Sequence, residues 1–202
     1  MARITHPYHP IIYVRGYAMT KSEIEATVAT PYMGFNLGAT KIRQDWAGKV
    51  RRHIFESALI RLMKDYGYCD VYSYGTEITG EISAKSVIIY RYYEQADADL
   101  GSGNVSSIPE AAKGLSDLIL TVRDQVCVNN PQLMKDFKVY LVAHSMGGLV
   151  CRCFLQNDNI GDKNAKAMVD KVFTYATPHN GIEVAGVNVP GFLDVWDMDN
   201  FN

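Results

Sequence analysis

The chain has 202 residues, 48% of them hydrophobic and 21% charged, proportions that exclude a disordered chain and fit one globular domain. Its 20 Lys and Arg against 22 Asp and Glu leave a net charge of −2. That balance argues against nucleic acid as the main partner, which calls for a basic surface, but leaves room for a neutral or amphiphilic substrate.

The first ten residues are polar and rich in His and Pro, with no apolar h-region, so no signal peptide is read there. The apolar stretches are too short to span a bilayer or to make a stable membrane anchor. A cytoplasmic location is expected, or an extracellular one if a leader is missing.

Taken in chain order, Ile11–Val14 (IIYV) reads as a buried strand. Residues 50–66 read as a helix, because Val50, Ile54, Phe55, Ala58, Leu59, Leu62, Met63 and Tyr66 make an i, i+4 stripe that Gly67 ends. On that reading Arg51, Arg52 and Arg61 form a solvated helix face. Residues 71–74 (VYSY) and 87–90 (VIIY) are two further strand candidates, and residues 101–104 (GSGN) a flexible loop. Ser107 followed by Glu110 is a capping box. It opens a helix striped by Ala111, Leu115, Leu118, Ile119, Val122 and Val126. Residues 139–143 (VYLVA) and 172–176 (VFTYA) read as strands covered on both faces, since neither alternates cleanly with polar residues. A helix between them starts after Ser145, with Leu149, Val150, Cys153 and Phe154 facing inward. Strands alternating with helices predict an α/β fold: a mostly parallel sheet with helices on both faces, a three-layer sandwich.

Cys69, Cys127, Cys151 and Cys153 contain no CxxC pair and no His at ligand spacing, so no metal site is expected. They read as small buried hydrophobes. No P-loop lysine and no GxGxxG appears, which disfavours a nucleotide cofactor.

The informative segment is VYLVAHSMGGLVCRC, residues 139–153. A buried strand runs into Ala143-His144-Ser145-Met146-Gly147-Gly148 and then into a helix. This is a nucleophile elbow, GxSxG with Ala in the first place. The serine at the apex of so tight a turn is strained, and the residues two before and two after must be small. Ala143 and Gly147 are. The turn sets the Met146 N–H at a helix N-terminus, aimed at a developing oxyanion. In PIIYVRGY, residues 10–17, a strand ends in Arg15-Gly16-Tyr17, and the glycine lets the Tyr17 N–H face the serine as a second oxyanion donor.

PIIYVRGY, VAHSMGGLV and TYATPHNG, in that order, resemble the α/β-hydrolase-fold lipases and esterases. The elbow is similar to that of small bacterial lipases. TPHNG looks like the TPHxG stretch of many lipases and of inositol-deacylase-like relatives. The family usually has His-Gly where this chain has Arg15-Gly16. The resemblance implies Ser145 as nucleophile of an acyl-enzyme mechanism on carboxylic or lipid esters, with no cofactor and no metal.

In that fold the acid and the histidine follow the nucleophile in sequence. His179 alone follows Ser145 here, and it reads as a loop residue shaping the pocket floor. His144 sits inside the elbow, pointing away from the serine. Asp194, Asp197 and Asp199 form an acidic cluster around Trp196, and residues 187–202 read as the start of a lid or cap. The chain therefore reads as the N-terminal part of a single hydrolase domain, lacking its last strands, with the strand at 172–176 left as an unpaired edge. Two other functions use the same residues: an acyltransferase with the same nucleophile, and a non-catalytic hydrolase-like binding module.

Overall fold

The computed structural model describes residues 8–16, 39–44, 47–55, 58–71, 80–90, 92, 106–128, 130–180, 182–184 and 187–189. Tyr17, residues 72–74, the loop at 101–104 and the acidic segment at 191–202 lie outside them.

Five strands form one parallel sheet. They are β1 (Ile11–Val14), β4 (Cys69–Asp70), β5 (Ser86–Tyr90), β6 (Val139–His144) and β7 (Val169–Tyr175), in the order β4-β5-β1-β6-β7. β1 is central, with Val14 in register with Tyr90 on one side and with Ala143 on the other. All four of its residues are buried, as a strand covered on both faces requires.

Helices cover both faces. On one, α2 (Ile108–Cys127), α4 (Gly147–Gln156) and α5 (Lys163–Met168) enclose a core of Ile12, Val14, Leu115, Ile119, Leu141 and Phe154. On the other, Leu59 of α1 (Ala58–Tyr66) packs with Ile11, Tyr13, Val87 and Ile89. The Tyr68 hydroxyl beside them donates to the His9 carbonyl at 2.9 Å, and burial pushes its pKa up to about 12.

The capping box is in place. Ser107 Oγ accepts from the Glu110 N–H at 3.4 Å, and Glu110 Oε2 accepts from the Ser107 N–H at 2.8 Å. A short helix, α3 (Pro131–Asp136), follows α2, capped by Asn130. The Ser116 side chain on α2 accepts from the Asp162 N–H at 2.8 Å and so ties α2 to the start of α5.

Two expectations are corrected. Val50–Phe55 is not the first turns of a helix but a strand, β3, antiparallel to β2 (Ala39–Gln44) in a separate two-stranded ribbon. The helix begins only at Ala58. Val50, Ile54 and Phe55 satisfy the helical spacing and also distribute over the two faces of a strand, so periodicity alone did not separate the two. Arg51 and Arg52 therefore lie on opposite faces of a ribbon rather than along one helix face.

The second correction is burial of β7. Val172, Phe173 and Tyr175 are exposed at 39%, 59% and 38%. β7 is the last strand of the sheet order, and among the described residues nothing pairs with its outer side. Of the tail, Ile182–Val184 (β8) and Val187–Val189 (β9) pair as a small antiparallel hairpin apart from the main sheet.

Candidate active site

The site lies where β1, β6 and β7 end. β6 stops at His144, and Ser145 turns into the left-handed region at φ +51. That conformation costs a non-glycine residue of order 1–3 kcal/mol and persists only where its surroundings over-determine it. Three contacts do so. The Ser145 N–H donates to the Tyr175 carbonyl at 2.8 Å, extending the β6–β7 ladder one residue beyond His144. The Ser145 carbonyl accepts from the Gly148 N–H at 3.1 Å, and the Met146 carbonyl accepts from Leu149 at 2.9 Å. The chain has left the strand and entered α4 within two residues.

The small residues around the turn have backbone reasons. A Cβ on Gly147 would lie 2.1 Å from the Val14 carbonyl oxygen and 2.6 Å from that of Arg15. No side chain fits there, so α4 rests directly on the end of β1. A Cβ on Gly16 would lie 2.7 Å from Ser145 Cβ and 2.8 Å from His144 Nδ1. The chain at Gly16 thus passes against the elbow, and Gly16 is the residue beside the serine. A Cβ on Gly148 would meet Thr177 Oγ1 at 2.0 Å, so the TPH segment closes over the start of α4.

Ser145 is half-buried, and Met146 is fully buried. Among the described residues no side chain is hydrogen-bonded to Ser145 Oγ, and no histidine nitrogen reaches it. His179 is exposed. Its Nε2 lies 3.3 Å from Thr174 Oγ1, and its carbonyl accepts from Arg152 Nη1 at 3.0 Å. The TPH loop is thereby clamped between β7 and α4.

Sequence reading missed the setting of Arg15 and His144. Val14 and Ala143 pair in register and belong to the core under α4. The next residues, Arg15 and His144, therefore emerge on the opposite face. Tyr175 pairs with His144, their rings 5.7 Å apart. Arg15, 1% exposed, His144 and Tyr175 form a row across three strand ends. Burial, and after it the Arg15 charge, holds the His144 imidazole below its ordinary pKa. The Arg15 carbonyl is itself fixed by the Tyr92 hydroxyl at 2.9 Å. The signal for this row was in the sequence, as the residues following two paired strand candidates, but their register was not.

Cys127 and Cys151 are buried, Cys153 is half-buried and Cys69 is exposed. Burial pushes the Cys127 thiol up to about 11 and the Cys151 thiol up to about 12, which makes them poor nucleophiles. Among the described residues no cluster of three or more His, Cys, Asp or Glu could hold a metal, and no helix is long and apolar enough to cross a membrane.

A parallel sheet covered on both faces, with a strained serine at a strand-to-helix turn, defines a hydrolase-like α/β domain. A family model described as the PGAP1-like alpha/beta domain matches residues 70–186, more than half of the chain, and the chain belongs to that family. No curated protein and no solved structure matches it.

Proposed function

We propose that this protein is a serine hydrolase that cleaves carboxylic esters through an acyl-enzyme on Ser145. The observation that carries the reading is the Ser145 backbone at φ +51, wedged between Gly16 and the β6–α4 turn. A fold tolerates such strain where it positions a reacting group.

In the proposed reaction Ser145 Oγ gives up its proton to a base and bonds to the ester carbonyl carbon. The carbonyl oxygen becomes an oxyanion held by the N–H of Met146 and, from the RGY turn, that of Tyr17. The C–O bond then breaks, the alcohol leaves with the proton, and water releases the acid from the serine. His179, engaged with Thr174, and His144, in the row beside Arg15, are not assigned as the base. The substrate class is a small or lipid-like ester, and no cofactor takes part.

An alkyl fluorophosphonate probe tests the reading. Labelling of the chain that disappears in Ser145→Ala supports it. Undiminished labelling in Ser145→Ala, or none in the wild type, overturns it. Turnover of an ester in the presence of an alcohol separates hydrolysis from acyl transfer by the product formed.

A further inference from the structure

We propose that Thr177 is a positioning residue for the Ser145 turn, its side chain a strut that holds the start of α4 from the β7 side. β6 and β7 end together. His144 and Tyr175 are in register, and the residues after them, Ser145 and Ala176, both take left-handed backbone, at φ +51 and +52. That backbone is as costly for an alanine as for a serine. At Ala176 it turns the chain off β7 and over α4. Thr177 follows, and its Cγ2 and Cβ would lie 2.6 and 2.8 Å from a Cβ on Gly148. The Gly148 N–H donates to the Ser145 carbonyl at 3.1 Å. Thr177 therefore bears on the residue that closes the serine turn.

The segment that carries Thr177 is itself tied down. Its carbonyl accepts from the His179 N–H at 2.9 Å, and the His179 carbonyl accepts from Arg152 Nη1 at 3.0 Å. Gly148 and Arg152 are four residues apart on α4, so they share one face of the helix, and the segment lies along it. On the other side Gly147 rests on the Val14 and Arg15 carbonyls, which are backbone contacts. The β7 side rests on a side chain. Threonine suits that task, because branching at Cβ makes it stiff. Thr177 Oγ1 is buried and has no hydrogen-bond partner, so the side chain acts through its shape and not through a bond. Valine has the same shape without the unmet hydroxyl.

Amide hydrogen exchange, read residue by residue in the 202-residue chain, tests the placement without using activity. Thr177→Ala is expected to speed exchange of the Ser145 and Gly148 amides about tenfold, while the Leu141 amide in the middle of β6 and the melting temperature stay near wild type. Thr177→Val should restore slow exchange at both. The effect on reaction rate rests on the reading of Ser145 as nucleophile: fluorophosphonate labelling should slow about tenfold or more in Thr177→Ala and recover in Thr177→Val. No labelling of the wild type sinks that reading and leaves exchange to judge the strut. Unchanged exchange at Ser145 and Gly148 in Thr177→Ala overturns the proposal. So does faster exchange shared equally by Leu141 with a lowered melting temperature, which is a merely structural role. Labelling of Thr177→Ala at the wild-type rate also overturns it, and so does a Thr177→Val variant as impaired as Thr177→Ala, which would assign the effect to the hydroxyl and not to shape.

Discussion

β6 and β7 are neighbours with similar sequences and opposite fates. VYLVAH and VFTY both look like interior strands, yet Leu141 is wholly buried while Phe173, one strand away, is 59% exposed. Their composition does not distinguish them. β6 has a strand on each side and helices or packed side chains on each face. β7 has one strand neighbour, and every residue from Asp170 to Tyr175 is exposed. Burial is therefore a property of position in the sheet order, which a run of apolar residues does not encode. The elbow belongs to the first environment, because the strain at Ser145 needs rigid surroundings. β7 reaches the site through the Tyr175 carbonyl, the Tyr175 ring beside His144 and the TPH loop.

The largest expected effect lies in β6. Leu141→Ala deletes a fully buried side chain of the core that includes Ile12, Leu115 and Phe154 and should cost about 2–5 kcal/mol, read as a shift in the urea midpoint. A cost below about 1 kcal/mol would mean that β6 is not the rigid support described.

Gly147→Ala tests the elbow itself. The added methyl meets the Val14 and Arg15 carbonyl oxygens, and backbone cannot swing aside as a flexible side chain can. Overpacking of this kind costs about 1–3 kcal/mol. The functional loss should exceed the stability loss, because displacing a nucleophile by about 1 Å costs of order 100-fold in rate. The comparison is between the rate of fluorophosphonate labelling and the melting temperature. Normal labelling with a lowered melting temperature would separate the glycine from the placement of Ser145.

How much of this was legible follows the range of each signal. The α2 start was readable because Ser107 and Glu110 act over three residues. The elbow was readable because its size limits at Ala143 and Gly147 are local and steric. β1 was readable because it is apolar throughout. The ribbon was not. In VRRHIF, one face receives Arg51, His53 and Phe55 and the other Val50, Arg52 and Ile54. Its apolar residues fall on both faces, so no alternation advertises a strand, and the helical spacing of Val50, Ile54 and Phe55 took its place. The Arg15–His144–Tyr175 row was hidden for another reason. It depends on the registers of β1 with β6 and of β6 with β7, and a strand's register is set by its partners, not by its own residues.

That row predicts a smaller, pH-dependent effect. Burial and Arg15 hold the folded-state pKa of His144 below the ordinary imidazole value of 6.5. Above 6.5 the imidazole is neutral in both states and stability is unaffected. As the pH falls through 6.5 the unfolded chain takes up a proton that the folded chain refuses, so stability declines until the pH reaches the lowered folded value. His144→Gln should flatten that slope, measured as the urea midpoint on either side of 6.5. An unchanged slope would place the acid sensitivity elsewhere.

The smallest effect is expected at β7. Val172 sits in the middle of the strand at 39% exposed, and its register partner is Leu141. If sheet position decides burial energy, Val172→Ala should change stability by about 0.5 kcal/mol or less, although the two residues are paired and both aliphatic. The Leu141→Ala and Val172→Ala midpoints, measured in the same titration, give the ratio directly. A cost at Val172 approaching that at Leu141 would mean that β7 is covered in solution, and the contrast between the two strands would fail at its most sensitive pair.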